Sequence, residues 1–201
     1  MSNEKFDKNR KALALFALLA LVILVAALSF SDRTNKPMNI NGDMLGQETS
    51  ETLSDYVSRA DDTLASTSPE EDVFALVTFS EALGAAEAAE VVDDIERVNA
   101  LVMRSAAPMG LPEPVDGETR EDVFNRQLKQ VQRSLDGIGG IQAPNTINGV
   151  IVRDSGKQLR TLAEDPEVLV IETLPADAGW GHFGVRPVTV DSSGLDLRNN
   201  Q

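Results

Sequence analysis

None of the 201 residues is cysteine. That absence excludes a disulfide framework, a thiol nucleophile, a Cys-based zinc or iron–sulfur site and a lipid-bearing cysteine. Histidine is nearly as scarce. His182 stands alone, so it cannot build a Cys/His metal site, and no Gly-x-Ser-x-Gly elbow offers it a nucleophile to activate. No glycine run leads from a strand into a helix in phosphate-cradling order, which removes the support for nucleotide binding. With one Trp, one Tyr and seven Phe, any core must be mostly aliphatic. Basic residues are also short, 18 against 32 acids.

What the chain does have is one long apolar run. Residues Ala12 to Phe30 carry no charge and one hydroxyl, and as a helix they would reach about 28 Å, close to the hydrocarbon thickness of a bilayer. Lys5, Lys8, Arg10 and Lys11 precede the run, so the positive-inside rule places residues 1–11 in the cytoplasm and everything after the span outside. A cleaved secretory signal has the same basic start, and Ala27-Leu28-Ser29 could serve as its cleavage site, but the run is long for a signal core and of the right length for a span. Inside it, Ala17, Ala20, Ala26 and Ala27 are small enough to let another helix approach closely.

Four of the basic and two of the acidic residues fall in the first thirty, leaving 14 against 30 and a formal charge of −16 outside the membrane. Such a surface repels phosphate backbones and anionic headgroups, so nucleic acid and peripheral lipid are excluded as partners. Acidity, abundant alanine and the missing cysteine point to a bacterial protein whose outside is the periplasm or the cell-wall space.

Residues 31–48 lack apolar periodicity and read as a linker, followed by an extracytoplasmic domain over 49–175 and a C-terminal extension over 176–201. Within the domain, Leu53, Tyr56, Val57, Ala60 and Leu64 form one helical stripe between Ser50 and Ser66. Val73 to Phe79 reads as a central strand. Gly84 to Glu87 opens an alanine-rich helix buried through Ala85, Ala88, Ala89, Val92 and Ile95. Val98 to Arg104 is expected as a strand with one face fully covered. The three prolines between Ser105 and Gly117 predict an irregular excursion. Thr119 with Asp122 caps a helix carrying Val123, Phe124, Leu128, Val131 and Leu135, and a loop from Gly137 to Asn148 follows. Gly149 to Arg153 is strand-like, Ser155 caps a short helix through Leu159 and Leu162, Asp165-Pro166 stops it, and Val168 to Leu174 is the last strand. The expected fold class is therefore α+β: a single N-terminal transmembrane helix, then a ferredoxin-like βαββαβ domain with an inserted helix and loops, its helices on one face of a four-stranded sheet.

From Gly149 to Leu174 the chain resembles the subtilisin propeptide (peptidase inhibitor I9) family. The matching features are Gly149 leading a strand, Ser155 as a polar cap, Leu159 and Leu162 on the helix, the Asp165-Pro166 stop, and Val168 with Ile171-Glu172 on the closing strand. The resemblance implies a ferredoxin-like fold, and a segment after the last strand that enters a partner's cleft.

That segment concentrates Trp180, His182, Phe183 and Arg186, the side-chain types of interface hot spots. They are the candidate partner-binding residues, the other reading being that Trp180 and Phe183 fold back over the sheet edge. Neither the acids at Asp93, Asp94 and Glu96 nor the stretch Asn39 to Asp43 has the spacing of a metal site. No catalytic, cofactor or metal residues are expected. The functional expectation is a non-enzymatic, membrane-anchored protein-binding domain, an accessory or assembly subunit of a larger bacterial respiratory or cell-envelope complex. The alternative is a membrane-tethered inhibitor or regulator of an extracytoplasmic subtilisin-like protease.

Overall fold

A computed structural model describes residues 42–104, 106–136, 143–186 and 188–190, together with Leu18. The chain divides into two units, Met1–Ile40 and Asn41–Gln201. Among the described residues no helix is long and apolar enough to cross a membrane. The run 12–30, with Ala17, Ala20, Ala26 and Ala27, lies outside those residues except for Leu18.

The second unit is a mixed α+β domain. In chain order its elements are β1 (Met44–Leu45), α1 (Leu53–Ser66), β2 (Asp72–Leu83), α2 (Ala85–Val91), β3 (Arg97–Met103), β4 (Ala106–Gly110), α3 (Arg120–Leu135), β5 (Ile147–Ser155), α4 (Gly156–Leu162), β6 (Val168–Thr173) and β7 (Gly184–Val185). Five strands form an antiparallel sheet in the order β4-β3-β5-β2-β6, and β1 pairs with β7 in a separate parallel ribbon.

Local chemistry explains where the helices begin. Thr52 caps α1 by accepting from the Asp55 N–H, Thr119 caps α3 with Asp122 reciprocating, and Ser155 caps α4 through the Gln158 N–H. At α2 the cap residue is glycine, and the Glu87 carboxylate instead takes up the Gly84 N–H at 2.9 Å. Each cap satisfies donors that the first helical turn leaves free.

The sheet is covered on both faces, not on one. Alanines 85, 88 and 89 of α2, Val123 and Phe124 of α3, and Leu159 and Leu162 of α4 join one face of the strands, including Val77, Val98, Val150 and Ile171. The opposite face, with Phe74, Leu76, Ala100, Val102, Ile151 and Val170, is covered by Leu45, by Tyr56 and Ala60 of α1, and by Val188 of the C-terminal segment. Consequently β3 is buried on both sides, which its nearly uninterrupted apolar sequence requires.

Two further expectations are corrected. The proline-bearing stretch after Ser105 contains a fifth strand, because a residue without an N–H is tolerated on an edge and beside an irregularity. Pro108 sits on the outermost strand, β4, next to a register shift between Leu101 and Met103 of β3. Residues Met44–Leu45, assigned by sequence to the linker, form β1 and carry the fully buried Leu45.

The C-terminal end of β6 is capped on its free edge by α1. The Thr173 N–H donates to Thr63 Oγ1 at 3.0 Å, and the hydroxyls of Thr67 and Thr173 pair at 2.8 Å. An edge N–H bonded in this way is not open to another strand at that position.

Candidate functional site

After β6 the chain makes two tight turns over the second face of the sheet. Ala178 N–H donates to the Pro175 carbonyl and His182 N–H to the Gly179 carbonyl, each at 3.0 Å. Gly181 takes φ +81°, a left-handed conformation that glycine adopts without strain. These turns put Trp180 outside, 45% exposed, and bring Phe183 down onto the second core.

There the tail meets Phe74 of β2. The Phe74 and Phe183 ring centroids are 5.4 Å apart, Phe74 and Trp180 5.8 Å, and Trp180 and Phe183 5.8 Å in an edge-to-face arrangement. All three separations lie in the range where ring quadrupoles attract. Arg153 of β5 is the direct cross-strand partner of Phe74, and its guanidinium carbon stands 5.9 Å from the Phe74 ring centroid. Arg97 of β3 follows in the same row, opposite Arg153, and its guanidinium donates to the Leu111 carbonyl at 2.7 Å and pairs with Glu113. The result is an aromatic trio, one member exposed, continued by two arginines across the sheet.

The four residues singled out from the sequence do not act alike. Trp180 and Phe183 join the cluster. His182 is exposed on the turn and its ring lies against Gly179. Arg186 contributes through its backbone: its N–H donates to the Leu45 carbonyl at 2.8 Å while its side chain is exposed. Sequence reasoning missed Phe74 and Arg153, which become neighbours only through the strand register. It also missed a buried ion network.

Glu172 of β6 is 2% exposed and faces α1. One carboxylate oxygen accepts from the Gly46 N–H at 2.6 Å, and the other pairs with Arg59. Arg59 also reaches Glu51 at 2.8 and 3.0 Å and the Gly46 carbonyl at 3.2 Å. Hydrogen bonds from Arg59 hold the Glu51 carboxyl below its ordinary range. Tyr56 lies in the same pocket, where burial and then the Glu172 charge push its phenol above its ordinary value. The Tyr56 and Thr78 hydroxyls are buried without a partner at hydrogen-bonding geometry. A lone acid in the mostly apolar strand Val168–Leu174 was the available signal, since an acid is almost never fully buried without a partner.

A groove of about 330 Å³ lies between the end of α1 and the chain after β6. Its threonines, Thr63, Thr67 and Thr173, already bond one another, so it reads as a packing seam. Among the described residues no three His, Asp or Glu side chains gather in a way that could hold a metal. The chain matches no protein-family model, no curated protein and no solved structure.

Proposed function

We propose that this chain is a non-enzymatic, membrane-anchored extracytoplasmic protein-binding domain, an accessory or assembly subunit of a larger bacterial membrane complex. Its contact surface is the cluster of Trp180, Phe183 and Phe74 with Arg153. The observation that supports the reading is Trp180 itself: the only Trp of an acidic chain is held 45% exposed against two further rings, one of which, Phe74, also meets Arg153. An exposed Trp in an aromatic cluster that also includes Arg is the composition of interface hot spots, and solubility alone has no use for it.

The domain itself is proposed to be ferredoxin-like. Its strands β2, β3, β5 and β6 follow the order β6-β2-β5-β3, with α2 and α4 as the two crossovers, and β4 and α3 as additions. The alternative of a protease regulator requires the segment after β6 to be free to enter a cleft. Residues 178–186 and Val188 are instead engaged with their own sheet through Ala178, Phe183, Val185 and Val188, which favours the subunit reading.

Gentle detergent extraction from the native host followed by native electrophoresis tests it. The chain is expected in a band well above its own 21.7 kDa, and Trp180→Ala with Phe183→Ala is expected to release it. Migration of the wild type solely as a monomer would refute the reading.

A further inference from the structure

The aromatic surface is carried by a segment held to the domain by its rings, by the buried Val188, and by hydrogen bonds from the Thr189 N–H to Gln47 and from Arg104 to the Val190 carbonyl. Between the rings and Val188 its backbone is held by β7, which among the described residues pairs with β1. The Gly184 N–H donates to the Asp43 carbonyl and the Arg186 N–H to the Leu45 carbonyl, both at 2.8 Å. Glycines make this approach possible. A Cβ on Gly42 would lie 2.4 Å from the His182 carbonyl oxygen, and one on Gly46 would lie 1.9 Å from that of Arg186. The two chain segments therefore touch backbone to backbone, and the stretch 42–46 with 182–186 forms one interlocked unit.

That unit packs on the sheet through the buried Leu45, and its polar junction with the sheet is Gly46. Both sides of the residue are gripped: the N–H by Glu172 and the carbonyl by Arg59, which are themselves paired. Glu51, at the start of the turn into α1, closes the network on the other side of Arg59. Gly46 has φ +97°, so it presents its two polar groups to the pair in a conformation that a side chain would resist.

We infer that Glu172 is a positioning residue for the aromatic surface: with Arg59 it latches the β1–β7 unit to the sheet and so fixes where Trp180 and Phe183 stand. This rests on reading the aromatic cluster as the partner surface. The latch itself can be read without any partner, because Trp180 is the only Trp of the chain and its fluorescence reports the cluster directly. Replacing Glu172 by Gln removes the charge that holds Arg59 while keeping the shape. The double variant Glu172→Gln with Arg59→Met removes both halves of the pair and leaves no buried charge without its partner.

The experiment measures acrylamide quenching of Trp180 in the full-length chain in detergent, together with amide hydrogen exchange, for wild type, Glu172→Gln and the double variant Glu172→Gln with Arg59→Met. In both variants the quenching constant is expected to rise by about twofold or more, and protection to fall at residues 43–46 and 184–186, while β2 and β5 keep theirs, as local opening requires. Unchanged quenching and protection would overturn the latch. So would a uniform loss of protection across β2 and β5 in a variant that still folds, since Glu172 would then be a general core stabiliser. If Glu172→Gln does not fold, the double variant decides by the same two criteria. Failure of native electrophoresis to show a complex leaves these readings intact, so the latch and the proposed function fail separately.

Discussion

Phe74 and Arg153 stand directly opposite one another on β2 and β5, and the guanidinium carbon of Arg153 lies 5.9 Å from the centroid of the Phe74 ring. The arginine is half exposed and also 3.8 Å from Asp72, so solvent screens what it contributes. Arg153→Gln is expected to lower stability by about 0.5–1 kcal/mol, the scale of an exposed cation–π contact. Phe74 is 9% exposed and touches both tail rings. Phe74→Ala is expected to lower stability by about 3–5 kcal/mol. Urea titrations of the two variants check the contrast. Equal losses would mean that the ring owes its position to the arginine and not to the core.

The second prediction concerns alkaline pH. Tyr56 is the only tyrosine, so tyrosinate absorbance reports one residue. Burial, followed by the charge of Glu172, raises its pKa in the folded state. A raised folded pKa means stability that is complete below the unfolded value of about 10 and lost as pH rises above it. Tyrosinate absorbance is therefore expected to appear late and together with unfolding. Tyr56→Phe should remove this alkaline loss, because it deletes the group whose ionisation drives it. Titration of the folded protein at the ordinary phenol value would contradict the buried placement.

At the acid end the sign reverses. Glu51 has its pKa lowered first by hydrogen bonds from Arg59, so its contribution is present above the ordinary glutamate value and is lost as pH falls through the lowered one. Glu51→Gln is expected to flatten the decline in stability below about pH 4.5 while leaving the alkaline limb unchanged. Thermal midpoints measured across the acid range for wild type and variant check it; parallel curves would show that Glu51 takes no part in acid destabilisation.

The helices were legible because periodicity and caps are local. The stripe Tyr56, Ala60 and Leu64 and the caps Thr119 and Ser155 all stand where the sequence places them. What escaped needed partners far along the chain. The strand β4 is licensed by its edge position beside β3, which no residue of Ala106–Gly110 announces. The ribbon of β1 and β7 joins residues 44–45 to 184–185, two residues a side, too short for any periodicity to register. Its signature was the glycines, Gly42, Gly46 and Gly184, which read locally as breakers and act as contact points. Trp180 and Phe183 were legible as chemistry, whereas Phe74 beneath them looked like any strand phenylalanine until the register placed Arg153 opposite it.

A matched pair of glycine substitutions tests the strand packing itself. Gly149 of β5 pairs with Thr78 of β2, and a Cβ there would stand 2.4 Å from the Val77 carbonyl oxygen. Its φ lies outside the left-handed region, so the penalty is purely steric, and the obstructing atom is backbone in the middle of the sheet, which cannot step aside. Gly149→Ala is expected to destabilise the domain by about 1–3 kcal/mol, the range of overpacked cores. Gly110 closes β4 at the opposite extreme: nothing lies within 4 Å of its Cβ position, and its φ is also outside the left-handed region. Alanine there restricts the unfolded chain without meeting anything in the folded one, so Gly110→Ala is expected to stabilise by about 0.4–1 kcal/mol. Urea midpoints moving in opposite directions at unchanged slope would bear out both placements. A loss at Gly110 equal to that at Gly149 would mean that β4 does not lie at the open edge.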